Sequence, residues 1–219
     1  MFIFDAEKFR GRLKRDGYVY VSGGCDENFL GKLERMLHSI EAGTGPDVYS
    51  LVPEGNDKQR LFDVMAAMTG EKDFTVSRHH ILFYQGITSY PHKDRKSLQY
   101  SCAIGLRPSR TSRLVLWPYA AQDENTGSHY RDYVEFKGGQ EAIEKEVAAT
   151  PPVMFDVQRG DAVFFAGSRM YHDRTSPEGI AIYYLAVNTY GLYDRAASRQ
   201  ERKPDNTPLA PPPARVIAR

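Results

Sequence analysis

The segment Tyr90-Pro91-His92-Lys93-Asp94 sets an imidazole and a carboxylate two residues apart. In an extended segment, residues i and i+2 project to the same face, so His92 and Asp94 can reach one ion. A further histidine, His172, follows the run Gly160-Asp161-Ala162-Val163-Phe164-Phe165 by a few residues. If the strands containing 92–94 and 162–172 are neighbours in a barrel, His92, Asp94 and His172 meet on one side of a metal. Two imidazoles and one carboxylate in that arrangement leave coordination positions open and favour iron(II). A His-x-Asp triplet alone recurs by chance, so the weight rests on the sequence around it. His79, His80 and His129 read as ordinary strand or loop histidines, and His38 as a packing residue beside the apolar stripe of a helix.

The elements that must hold these residues are legible in outline. Asp5 is a plausible N-cap for a first helix, with Phe4 and Phe9 placed as a hydrophobic staple and Gly17 at its end. Tyr18-Val19-Tyr20-Val21 reads as a short strand. After Asp26, residues Phe29, Leu30, Leu33, Met36, Leu37 and Ile40 recur at helical spacing. Leu61, Val64, Met65 and Met68 suggest another helix near 57–69. From about residue 74 the character changes to short β-branched and aromatic runs: 80–84, 98–106, 113–117, 153–157, 162–165 and 180–190. Gly, Pro, Asp or Ser punctuate them, as in a barrel or sandwich. The polar stretch 121–149 reads as an insertion, with a helix over 141–149. Insertions of that length are often lids or binding loops. The expected fold class is therefore mainly β with flanking helices (α+β). Its helical support region is 1–73, its β core is 74–192, and one domain ends near 198. The Pro-rich, charged segment 199–219 reads as a disordered tail.

The chain of 219 residues is long enough for one sizeable core. Its 29 basic and 28 acidic side chains leave a net charge of +1, which argues against a nucleic-acid partner. No apolar run reaches membrane-spanning length, and no signal peptide is recognisable at the amino terminus. The two cysteines, Cys25 and Cys102, match no metal-finger or redox spacing and read as reduced thiols in a cytoplasmic protein.

The text around the ligands resembles a family. Tyr84-Gln85-Gly86 through His92-Lys93-Asp94 is similar to the Tyr-x-x-Gly…His-x-Asp region of prolyl-4-hydroxylase-like Fe(II)/2-oxoglutarate oxygenases. Gly160-Asp161 through Phe165, then His172, is similar to the segment preceding their second iron histidine. Phe9…Leu13…Asp16-Gly17-Tyr18 resembles the opening of the phytanoyl-CoA dioxygenase branch. The resemblance covers most of 75–190. It implies a double-stranded β-helix, a cupin-like jelly roll, with Fe(II) held by His92, Asp94 and His172. It also implies 2-oxoglutarate as co-substrate, O2 as oxidant, and hydroxylation or a related oxidation of a small molecule such as an amino acid or natural-product intermediate. Relatives that halogenate typically have a small residue where Asp94 stands, so a carboxylate there points to hydroxylation. Tyr84 occupies the family's usual tyrosine position and would donate a hydroxyl to the co-substrate.

One departure stands out. The family usually supplies an Arg or Lys eight to twelve residues after the second histidine, to pair with the distal carboxylate of 2-oxoglutarate. Here that window reads Glu178-Gly179-Ile180-Ala181-Ile182-Tyr183-Tyr184. Arg113, Arg107 and Arg174 are the candidate substitutes, because a guanidinium fork matches a carboxylate. Two other readings stay open. One is an iron oxygenase whose substrate itself chelates the metal, without 2-oxoglutarate. The other is a non-catalytic jelly-roll binding module, against which the lack of an obvious fourth protein ligand counts.

Overall fold

The structure, a computed structural model, describes residues 1–42, 51–83, 90–109, 111–127, 130–175 and 179–192. Tyr84, His129 and the segment 199–219 lie outside them.

The expected first helix is two short pieces, a 3-10 turn at Ala6–Phe9 and α1 at Arg12–Asp16. Gly11 between them has φ +66°, a left-handed conformation that no continuous helix accommodates. Its N–H instead reaches Ala67 O of α3, the helix Gly55–Thr69, at 2.9 Å. Asp5 caps the turn as expected, accepting from Glu7 N at 3.1 Å, and the Phe4 and Phe9 rings meet edge-on at 5.7 Å. Helix α2 spans Glu27–Glu41, and the Asp26 side chain accepts from the backbone N–H groups of Asn28 and Phe29. The predicted apolar stripe of α2 is the face it buries, through Phe29, Leu30, Leu33 and Leu37.

Eight strands follow the chain: β1 Tyr18–Val21, β2 Thr75–Phe83, β3 Tyr100–Arg107, β4 Arg113–Trp117, β5 Val153–Phe155, β6 Ala162–Phe165, β7 Tyr171–Thr175 and β8 Ala181–Asn188. They form two antiparallel sheets, a five-stranded one in the order β1-β6-β3-β8-β2 and a three-stranded one in the order β5-β4-β7. Strand alternation divides the core into layers. On β8, Ala181, Tyr183, Leu185 and Val187 face the helices, where the Tyr183 ring meets Phe29 at 5.9 Å. Ile182, Tyr184 and Ala186 face the other way, toward Leu114 and Leu116 of β4. A strand covered on both faces is apolar nearly throughout, which is why 180–187 reads as one unbroken run.

The insertion 121–149 contributes α4 (Tyr130–Phe136) and α5 (Gln140–Ala148). Ile143 and Val147 of α5 pack with Tyr133 against Val115, Trp117 and Tyr171. These three point away from the large sheet, so the insertion covers the back of the small sheet. Strand β7 has no hydrophobic run of its own, because its inward positions are His172 and Arg174. The extended segment expected at 92–94 is a single bridge, His92 opposite His172. Among the described residues no helix is long and apolar enough to cross a membrane. Both cysteines are free and buried, and burial pushes the Cys25 thiol up to about 12.

The Gly-Asp pair before β6 has a structural task. The buried Asp161 carboxylate accepts from Tyr20 Oη (2.7 Å), Ser22 Oγ (3.1 Å), Gly23 N (2.9 Å) and Gln158 N (2.9 Å), fastening β1 to the turn that feeds β6. Asp161→Ala removes all four of these bonds to a charged acceptor, whose donors sit on exposed residues. It is expected to cost about 3 kcal/mol in urea unfolding, against less than about 0.5 kcal/mol for an exposed control such as Glu144→Ala.

Candidate metal centre

His92 and His172 are brought together by backbone pairing. His92 N donates to His172 O at 3.0 Å, and His172 N donates to His92 O at 2.9 Å. Their rings lie 4.3 Å apart between centroids. Asp94 is placed by its own N–H, which reaches Gly167 O at 2.9 Å in the turn between β6 and β7. One donor atom from each of His92, Asp94 and His172 lies within 4.8 Å of the others, and the described residues contain no other such group. His172 Nε2 and Asp94 Oδ2 are 3.6 Å apart, a separation an ion spans at about 2.1 Å from each.

Each histidine is held in the tautomer a metal needs. His92 Nδ1 lies 2.8 Å from Tyr90 O, and His172 Nδ1 lies 3.0 Å from Met170 O. A carbonyl only accepts, so both Nδ1 atoms carry the proton and both Nε2 lone pairs face inward. Burial, and then the neighbouring His92, pull the His172 pKa down to about 4, which keeps its ring neutral at pH 7. Burial opposes ionisation of Asp94, while His172 and His92 in their protonated forms, the Tyr184 hydroxyl and Arg78 favour it, and the carboxyl lies below its ordinary range. Tyr184 Oη donates to Asp94 Oδ2 at 2.5 Å, and Ser101 Oγ sits 2.9 Å from the same oxygen and 2.6 Å from Tyr184 Oη. Burial, reinforced by Asp94, pushes the Tyr184 phenol well up, so it remains a donor. Two imidazoles and one supported carboxylate, with no fourth protein ligand among the described residues, are a donor set that fits iron(II) with open positions.

A cavity of about 160 Å³ opens onto the triad. Its walls include Leu82, Leu114, Phe165 and Ile182, and two guanidinium side chains, Arg78 and Arg174, line it. Arg174 is the one proposed carboxylate partner that the structure brings to the triad. It is buried, two residues beyond His172 on the same face of β7, and its Nη1 lies 3.4 Å from Ser112 Oγ. Arg107 and Arg113 stand elsewhere. Arg107 lies past a register shift in β3 and grips Glu41 of α2, with Nη2 2.8 Å from Oε2. Arg113 precedes the inward Leu114, so alternation turns it outward to Asp156, 3.5 Å away. Tyr84 lies outside the described residues. Arg78, Tyr184 and Ser101 escaped sequence reasoning. Ser101 is a lone serine hydroxyl within the apolar run of β3, whereas Arg78 lies among Ser77, His79 and His80 and carries no such signal, and its guanidinium stacks over the Tyr184 ring at 5.6 Å.

Gly167 is required by close approach. A Cβ there would stand 2.5 Å from Ser101 Oγ, 2.6 Å from Asp94 Oδ2 and 2.7 Å from Leu98 O. Gly167→Ala is expected to cost about 1–3 kcal/mol in denaturant unfolding through overpacking. His80 gives a pH signature, because burial, with Arg78 and His79, lowers its pKa to about 3. Its contribution is fully present above pH 6.5 and is lost as pH falls toward 3, since the unfolded chain protonates first. Over pH 6 to 4, His80→Gln is expected to lose stability less steeply than the parent, by up to about 1.4 kcal/mol per pH unit in urea titrations.

No family model matches the chain, and no curated protein matches it in sequence. Solved structures do. The non-heme alpha ketoglutarate dependent epimerase SnoN from nogalamycin biosynthesis aligns over 83% of this chain and 79% of its own, at 16% identity and a TM-score of 0.56. EctD from S. alaskensis aligns over 84% of this chain and 76% of its own, at 15% identity and a TM-score of 0.57. A Pseudomonas putida prolyl-4-hydroxylase aligns over 84% of this chain and 93% of its own, at 12% identity and a TM-score of 0.52. In fold, the chain resembles the Fe(II)/2-oxoglutarate-dependent oxygenases.

Proposed function

We propose that this protein is a non-haem Fe(II)- and 2-oxoglutarate-dependent dioxygenase that oxidises a small molecule, its two sheets forming a double-stranded β-helix. The observation that carries this reading is the triad itself: inward Nε2 atoms of His92 and His172 beside the Asp94 carboxylate, in a cavity that two arginines also line. The neighbours support it. SnoN is described in complex with Fe3+, alpha ketoglutarate and nogalamycin RO, and EctD with 2-oxoglutarate and 5-hydroxyectoine.

His92, Asp94 and His172 hold the iron, and their carbonyl and hydroxyl partners fix each ligand before the metal arrives, which lowers the cost of binding. Arg174 meets the distal carboxylate of 2-oxoglutarate in place of the basic residue missing from β8, where Ile182 faces the cavity. Leu82, Leu114, Phe165 and Ile182 keep water from the reacting atoms. With iron(II), 2-oxoglutarate and O2 bound, the centre supplies oxidation of a substrate C–H bond coupled to conversion of 2-oxoglutarate to succinate and CO2. A cationic partner for the second carboxylate within the cavity favours 2-oxoglutarate over a mechanism in which substrate alone chelates the metal.

The test is an anaerobic Fe(II) titration with and without 2-oxoglutarate. A visible charge-transfer band is expected only when both are present, and its absence at saturating co-substrate overturns the 2-oxoglutarate assignment. His92→Ala should weaken iron binding by orders of magnitude. Arg174→Met should raise the 2-oxoglutarate concentration for half-maximal absorbance about 30-fold. It should leave Fe(II) affinity without co-substrate unchanged.

A further inference from the structure

Lys93 lies between two metal ligands, and its side chain is fully buried. Alternation sends it to the opposite side of the segment from His92 and Asp94. There its Nζ donates to Ala121 O (2.7 Å), Asp123 O (2.7 Å) and Asp123 Oδ1 (3.0 Å). The same ammonium sits 4.4 Å from the centre of the Tyr171 ring and 4.9 Å from that of Tyr133. Tyr171 immediately precedes His172 and, like Lys93, points away from the cavity. The two ligand-bearing segments are thus joined in front by their imidazoles, in the middle by reciprocal backbone hydrogen bonds, and behind by an ammonium on an aromatic face.

The residues 121–127 complete the enclosure. Asn125 Nδ2 donates to Lys93 O (3.4 Å), and Asn125 N donates to Ser168 O (2.7 Å), next to the Gly167 carbonyl that holds Asp94. Tyr133 Oη, from α4, donates to Asp123 Oδ2 at 2.8 Å.

Building on the metal site proposed above, we propose that Lys93 is a positioning residue for it. Through Tyr171 and Asp123, it clamps both ligand segments to the insertion 121–149, which preorganises the triad from behind rather than covering the cavity. An apolar residue would also fill the space. Only a cation fastens three oxygens of one loop while resting on the ring beside His172.

The test is Co(II) binding to the intact chain, followed by calorimetry and by the visible spectrum of the bound ion, alongside thermal unfolding without metal. Lys93→Met is expected to weaken Co(II) binding roughly 10- to 100-fold, the range for losing an outer support of a ligand, and to alter the Co(II) spectrum. Asp123→Asn, a milder change at a partly exposed partner, should weaken binding in the same direction by less, and serves if Lys93→Met does not fold. A folded variant of either kind with a lowered melting temperature but parental Co(II) affinity and spectrum overturns the positioning role, leaving Lys93 a stability residue. Parent protein that binds no Co(II) overturns the metal site and this role together.

Discussion

The reciprocal hydrogen bonds between the backbones of His92 and His172 are what the site depends on. They are one bridge, outside any long strand, yet they fix which side chains face which way on both segments. With that pair in place, alternation turns His92, Asp94, His172 and Arg174 toward the cavity, and Lys93 and Tyr171 away from it. Slipping the pairing by one residue would exchange the two sets and bring an ammonium and a phenol to the cavity instead. The flanking contacts make such a slip costly. Asp94 N is bound to the Gly167 carbonyl, and Lys93 is held by three oxygens of the insertion.

The layers serve the same end. The large sheet is covered on one face by α2 and α3 and packs its other face against β4 and β7, so β3 and β8 are buried on both sides. In that apolar interior a polar residue persists only where it has a partner. Ser101 and Tyr184 are such residues, and both meet the Asp94 carboxylate. The low dielectric that makes them costly elsewhere strengthens their hold on the carboxylate here. Arg78, stacked on Tyr184, lends positive charge to the same carboxyl.

Sequence reasoning recovered much of this and missed some of it for identifiable reasons. The amphipathic stripe of α2, the caps at Asp5 and Asp26, and the apolar runs of β4, β6 and β8 are local patterns, and local patterns survive in a one-dimensional reading. Strand β7 has no apolar run to mark its bounds, because its inward positions carry an imidazole and a guanidinium rather than apolar side chains. The first helix reads as continuous in sequence because nothing local announces that Gly11 N bonds to Ala67 O rather than to its own turn. The sequence favours Arg113 or Arg107 over Arg174 as the carboxylate partner, whereas the structure brings only Arg174 of the three to the cavity. Arg107 lies beyond a register shift and Arg113 one position out of phase with Leu114, and both facts belong to strand pairing.

The sequence by itself determined the types and order of the candidate ligands and most of the surrounding helices and strands, because periodicity and capping are properties of neighbouring residues. Tertiary structure alone decided which polar residues support those ligands. It brought Arg78 and Arg174 into one cavity, and set Lys93 against Tyr171 across 78 positions of sequence. It also placed the insertion behind the small sheet rather than over the cavity. Each of those outcomes depends on contacts between segments far apart in the chain, whose partners are fixed only once the sheets have chosen their register.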